Sequence, residues 1–320
     1  MLTTFTLHDP ASQLTAQFVP TAGMIGISLA DGAVELLGQR RGLDAYLSAG
    51  KTMGIPILYP WANRLGERTY RVGDDTVTLA PDAPGVRADP NGLPIHGLLG
   101  AFSGWQVTRS DHDELSAEVD FGAHPELIAS FPFPHRLTLA VTLSERSLRM
   151  STTVTATGDK AVPLCFGFHP YLQLPGVSRS QWHIETPAMR HLAVDDRGIP
   201  TGASTAWPQT SEVLGGNTFD DGFDEVAPGA VFTLSGGTRR IEVCFDQGYP
   251  AAQIFAPGAD DVVCFEPMAA PTDALRQGGY RVAEPGTGHR RVHDHGHVVT
   301  PPSTDACYHT RIQSTSMSAG

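Results

Sequence analysis

The sequence predicts an all-β chain, a large antiparallel β-sandwich of many strands. Short alternating or β-branched runs recur from end to end, 34 Gly and 25 Pro punctuate them, and segments with helical periodicity are few. Amphipathic strands of this kind hide their apolar faces by stacking sheets on one another.

The elements follow in order. Leu14, Ala16 and Phe18 alternate with Thr15 and Gln17, and a second apolar run follows at 24–29. Val77 and Leu79 alternate with Thr76 and Thr78. Residues 137–143 put Leu137, Leu139, Val141 and Leu143 on one side of an extended chain, and 148–155 repeats the pattern with Leu148, Met150 and Val154. Runs at 162–168, 230–234, 241–245, 251–255 and 262–266 complete the series. One or two helical turns are expected at 124–129. A short helix is expected at 272–277, with Thr272 as N-cap, Asp273 in its first turn and Gly278 as its stop.

Residues 43–68 and 81–104 are long for connections without structure of their own, and both hold candidate site residues, so they read as binding loops. No repeat or linker divides the chain. A single domain over 1–288 is expected, followed from His289 by a divergent, frayed tail over 289–320 where the alternation fades.

Composition narrows the function. With 320 residues, 41% of them hydrophobic, the chain can bury a substantial core. Its 34 acidic against 22 basic residues give a formal charge of -12, and no basic face is gathered, which argues against nucleic acid and anionic membrane as partners. Cys165, Cys244, Cys264 and Cys307 show neither a disulfide framework nor metal-ligand spacing. The N-terminus lacks a signal-peptide pattern, and no apolar run approaches membrane-spanning length, so a cytoplasmic protein, monomer or homodimer, is expected.

Several residues could carry chemistry. In the strand ending at His169, Cys165, Gly167 and His169 share the face opposite Leu164, Phe166 and Phe168; the small residues would leave a hollow beside the imidazole. Taken alone, a strand-end histidine more often bonds a neighbouring loop. Glu266 closes a nearly continuous apolar strand, where an ionised carboxylate is costly; it is either the anchor of a structural ion pair or a base at a pocket. His96 is held between Pro94 and Gly97. Arg64 beside Asn63 offers a guanidinium fork and an amide suited to hydroxyls or a carboxylate, against the plainer reading of a salt bridge. Among the acids at 220–225, Asp220 sits between Phe219 and Phe223 and is retained as a candidate, whereas Asp221, Asp224 and Glu225 read as an acidic turn without calcium-loop spacing. His289, His293, His295 and His297 lack the support a metal site needs, and a solvated tail without metal is expected there.

Together, Pro60-Trp61-Ala62-Asn63-Arg64, His96-Gly97, Gly167-Phe168-His169-Pro170-Tyr171, Phe219-Asp220-Asp221-Gly222-Phe223 and Phe265-Glu266-Pro267 resemble the aldose 1-epimerase (galactose mutarotase) family, over about residues 20–286. The resemblance implies a β-supersandwich whose concave face binds a monosaccharide, without metal or organic cofactor. It implies Glu266 as general base at the anomeric hydroxyl, His169 as general acid at the ring oxygen and His96 as an assisting group. Arg64, Asn63 and Asp220 would bind hydroxyls, and Trp61 would add a wall. Carboxylates near His169 would hold it charged. Two other functions compete: a hexose-6-phosphate 1-epimerase, for which the candidate loops offer few cations apart from Arg64 and Arg87, and a non-catalytic sugar-binding protein.

Overall fold

The computed structural model describes residues 2–286 and 292–299. Two large antiparallel sheets dominate it. One has nine strands, in the spatial order Gln106–Ser110, Glu114–Asp120, His135–Ser144, Ser147–Ala156, Val292–Val299, Arg239–Gln247, Ala230–Gly236, His183–Thr186 and Thr210–Val213. The other has eight: Pro200–Trp207, Met189–Val194, Phe219–Asp224, Ala251–Ala256, Val263–Met268, Gly167–Phe168 and Ile57–Leu58 in a row, with Tyr171–Leu172 pairing off the path onto Val263–Met268. A four-stranded N-terminal sheet packs alongside.

The alternation in the sequence becomes burial. Leu137, Leu139, Val141 and Leu143 are buried while the residues between them are not, and Leu137 faces Val154 across the pair. Val263–Met268 is buried at every position. A strand covered on both faces reads as a continuous apolar run, which is why the carboxylate of Glu266 stands out in it.

The fold itself departs from the expectations in four places. The segment 43–68 is not wholly loop, because Gly42–Ala49 forms an α-helix closed by Gly50 in the left-handed region. The helix expected from Thr272 is Ala274–Gln277, preceded by Asp273 at φ 64° with no side-chain cap, so Thr272 is not its N-cap. The acids at 220–224 lie not in a turn but in the strand Phe219–Asp224. Finally, Val292–Val299, read as solvated tail, is a strand between Ser147–Ala156 and Arg239–Gln247. The two flanking strands each present a row of backbone donors and acceptors, and an extended segment satisfies both rows with its main chain whatever its side-chain pattern. His289 lies outside the described residues.

Cys165, Cys244 and Cys264 are free thiols. Among the described residues, no helix is long and apolar enough to cross a membrane.

Candidate functional site

One face of the eight-stranded sheet gathers the candidates. Residues directly opposed in an antiparallel pair share a face, so the register Glu266↔Gln253↔Gly222 and Cys264↔Phe255↔Asp220 sets Glu266, Gln253, Phe255 and Asp220 side by side. Gly167 opposes Met268 on the far side of Val263–Met268, and His169 follows two residues on. His169 Nε2 lies 3.3 Å from Glu266 Oε1, with side-chain exposures of 6% and 2%. The imidazole and the carboxyl are thus in contact and almost entirely out of water.

The room at the site does not come from the small residues beside His169. A Cβ on Gly167 would lie 2.6 Å from the Pro267 carbonyl oxygen, so Gly167 lets two strands approach closely and leaves no hollow. Aromatic rings position His169 instead. Tyr171 stacks on it at 4.3 Å between centroids, and Phe255 meets it edge-on at 5.7 Å. The Tyr171 hydroxyl lies 3.0 Å from His169 Nε2 and 2.6 Å from Thr52 Oγ1, and it accepts from Arg40 Nη1 at 3.2 Å, while Asp260 holds Arg40.

The two long connections converge on this face. Tyr59 bridges to Gly97 and Arg64 to Ile95, and the His96 N–H donates to the Asn63 carbonyl at 2.9 Å. Asn63 at φ 52° and His96 at φ 62° both adopt the left-handed conformation. His96 thereby comes within 5.6 Å of His169, centroid to centroid. Arg64 donates from Nε to Asp89 at 2.9 Å and from Nη1 to Asn63 Oδ1 at 3.0 Å, and its Nη2 lies 3.7 Å from Asp220. Trp61 is 1% exposed within the main core cluster, so it backs the site from behind and does not form an open wall.

Sequence reasoning passed over three participants. Gln253 donates to Asp220 Oδ1 at 2.7 Å; its signal was a lone amide in the apolar run 251–255. Asp89, with its side chain 1% exposed, accepts from the Asn91 and Leu93 N–H groups as well as from Arg64, tying the second connection to the guanidinium. Tyr171 closes the run Gly167-Phe168-His169-Pro170-Tyr171, where nothing in its identity marks it apart from its neighbours. The neighbouring acids are otherwise engaged: Asp221 contacts His191 at 2.9 Å, and Asp224 and Glu225 both pair with Arg190.

Burial also sets the charge states. It pushes the Glu266 carboxyl well above the usual carboxylate range, the Asp220 charge adds to this, and Arg64 opposes it. Burial drives the His169 imidazole well below its ordinary value, with His96 and Arg40 pushing the same way. His96 is lowered to about 3, by burial first and then by Arg64 and Arg87. The expectation that nearby carboxylates hold His169 charged is therefore reversed in the free protein, because desolvation outweighs a contact whose own carboxyl is also desolvated. Three buried polar atoms here lack a hydrogen-bond partner within the protein: Glu266 Oε2, His169 Nδ1 and His96 Nδ1. Orphaned atoms of this kind are costly, and a ligand that brings hydrogen-bonding groups to them would offset that cost.

A sequence model described as aldose 1-epimerase matches residues 8–292. The chain belongs to the aldose 1-epimerase family. A relative described as the uncharacterized protein YihR of Escherichia coli strain K12 is 30% identical over 149 residues, a match that spans 45% of this chain and only 44% of the relative. Similar solved structures include the Slr1438 protein of Synechocystis sp. PCC 6803, at TM-score 0.76 and 21% identity, covering 94% of this chain and 96% of that one. A putative aldose 1-epimerase of Escherichia coli K12 follows at TM-score 0.74 and 19% identity, covering 94% and 99%. A galactose 1-epimerase of Lactobacillus acidophilus NCFM aligns at TM-score 0.70 and 14% identity, covering 94% and 99%. At such identities the structures establish a galactose mutarotase-like fold and no more. Membership of the aldose 1-epimerase family supports a carbohydrate epimerase with a small sugar as substrate.

Proposed function

We propose that this protein is an aldose 1-epimerase that interconverts the α and β anomers of an aldose by ring opening and reclosure. The observation that carries the reading is the contact of Glu266 with His169 at 3.3 Å, with both groups buried. In a cyclic hemiacetal the anomeric hydroxyl O1 and the ring oxygen O5 share one carbon. A base for the first and an acid for the second must therefore stand within a few ångströms of each other, a condition unusual for two buried groups unless chemistry requires it.

The reaction balances with one proton on the pair. Carboxylic acid with neutral imidazole, and carboxylate with imidazolium, contain the same number of protons. Desolvation favours the neutral form in the free protein, and the hydroxyls of an entering sugar supply the hydrogen bonds that favour the charged form. Glu266 then takes the O1 proton as the C1–O5 bond breaks, and His169 delivers its proton to O5. Rotation about C1–C2 presents the other face of the aldehyde. Closure reverses both transfers and restores the pair.

The remaining groups bind. Asp220 and the Arg64–Asn63 fork offer acceptors and donors for ring hydroxyls, and a neutral His96 hydrogen-bonds without supplying a proton of its own. Anomer-resolved NMR on freshly dissolved α-glucose and α-galactose tests the reading: the protein accelerates exchange between anomers, whereas shifted signals at an unchanged exchange rate would mark a sugar binder and overturn it.

A further inference from the structure

We propose that the site continues past His96 into an anion-binding subsite built on Arg87, with Lys51 beside it, that selects aldohexoses carrying an anionic group on C6. The inference rests on the epimerase reading above and names its substrate class.

Arg87 sits on the short strand Arg87–Ala88, paired with Ile95 next to His96. Its guanidinium lies over the Tyr46 ring at 5.6 Å and donates from Nη2 to the Gly100 carbonyl at 3.2 Å. Two glycines make room for it: a Cβ on Gly50 would come within 2.4 Å of Arg87 Nη1, and one on Gly100 within 3.0 Å. What this cation lacks is an anion. Arg40, Arg64 and Arg276 are answered by Asp260, Asp89 and Asp273, but among the described residues no carboxylate pairs with Arg87 or with Lys51. A half-buried guanidinium with one carbonyl partner leaves most of its five donors free for solvent or for a ligand that displaces it.

These groups line one cavity of about 110 Å³, together with Tyr46, Thr52, His96 and Gly97. That is room for a substituent of several heavy atoms. Its position follows from bonding. Thr52, which lines the cavity, contacts the Tyr171 hydroxyl, which contacts His169 Nε2, so the cavity neighbours the residue assigned to O5. In an aldopyranose O5 is bonded to C5, and C5 carries the exocyclic C6. A sugar seated with O5 at His169 can point C6 past His96 toward Arg87. Phosphate, sulfonate and carboxylate share the chemistry needed there, a compact anion with several acceptor oxygens for a planar donor fork.

The test measures anomer exchange by NMR for glucose 6-phosphate, glucuronate, glucose and xylose, each as acceleration over its own uncatalysed rate, in the wild type and in Arg87→Met and Lys51→Met. In the wild type, kcat/KM for at least one C6 anion exceeds that for glucose and xylose by about tenfold or more, and Arg87→Met brings that ratio toward unity. Lys51→Met, at an exposed position, lowers the ratio by a smaller factor and keeps the test decisive if Arg87→Met fails to fold. Preference for the phosphate identifies a tetrahedral anion, and preference for glucuronate a planar one; either supports the subsite. Neutral aldoses turned over as fast as both anions, or a ratio unmoved by both substitutions, would overturn the subsite and leave the epimerase reading intact. Failure to accelerate any sugar would instead remove the epimerase reading.

Discussion

Gln253 lies directly opposite Glu266 across the strand pair and donates from its amide to Asp220 at 2.7 Å. One buried side chain thus sits opposite the proposed base and holds the carboxylate proposed to bind sugar hydroxyls on the next strand. Without it, Asp220, whose side chain is 52% exposed, retains only the long contact to Arg64. Replacing Gln253 by Leu is expected to raise KM more than it lowers kcat, with a loss in kcat/KM of about tenfold, the size of one hydrogen bond to a charged group. Steady-state polarimetry separates the two parameters; a fall in kcat alone would place Gln253 with the proton-transfer groups.

Tyr171 is expected to set the working range of His169. Its hydroxyl, 3.0 Å from Nε2, favours the neutral ring when it donates there. Tyr171→Phe removes that bond while keeping the stacked ring, so the imidazole becomes easier to protonate. The pH profile of kcat should move toward higher pH, which a merely structural role would not produce.

Acid should weaken the fold through His135. This fully buried ring lies 2.7 Å from the Tyr59 hydroxyl and 2.6 Å from the Phe133 carbonyl, and burial lowers it from 6.5 to about 4 against the raising effects of Phe133 and Asp120. Between those two values the unfolded chain binds a proton that the folded chain does not. The contribution is therefore complete above the unfolded value and is lost as pH falls, on the order of 3 kcal/mol by pH 4. Denaturant titrations across that window should show the slope, and His135→Gln should flatten it. His96, lowered to about 3, acts in the same direction.

Gly97 has no substitute. At φ 71° a Cβ would lie 2.1 Å from the Tyr59 carbonyl oxygen, which also accepts from the Leu98 N–H at 2.7 Å. Gly97→Ala must separate the two connections and withdraw His96 from His169. Activity should fall by about a hundredfold or more, together with a lower thermal midpoint. Retention of both would mean that the crossing of these connections is not needed.

Legibility in the sequence followed the physics of each segment. Glu266 and His169 stood out because ionisable groups at the ends of apolar strands are expensive, and the strands themselves were plain wherever one face is buried. Strands with little burial to report stayed hidden. Pro200–Trp207 is exposed along most of its length and carries no alternation. Val292–Val299 is placed by the backbone rows on either side of it rather than by its own pattern. Partnership was harder to read than identity: Arg64 was visible, but Asp89 and Gln253, which fix it and its neighbour, lie 25 residues away and on another strand. The charge of His169 is not legible in the sequence, because the resemblance implies a carboxylate near the imidazole but carries no sign that both groups are buried.

The most direct measurement is the α to β exchange rate of a responsive aldose in the wild type and in Glu266→Gln, which keeps the shape of the side chain and removes its basicity. The proposed mechanism predicts a loss of at least about a hundredfold, with sugar binding retained by chemical-shift titration. Exchange at the wild-type rate in Glu266→Gln would contradict it.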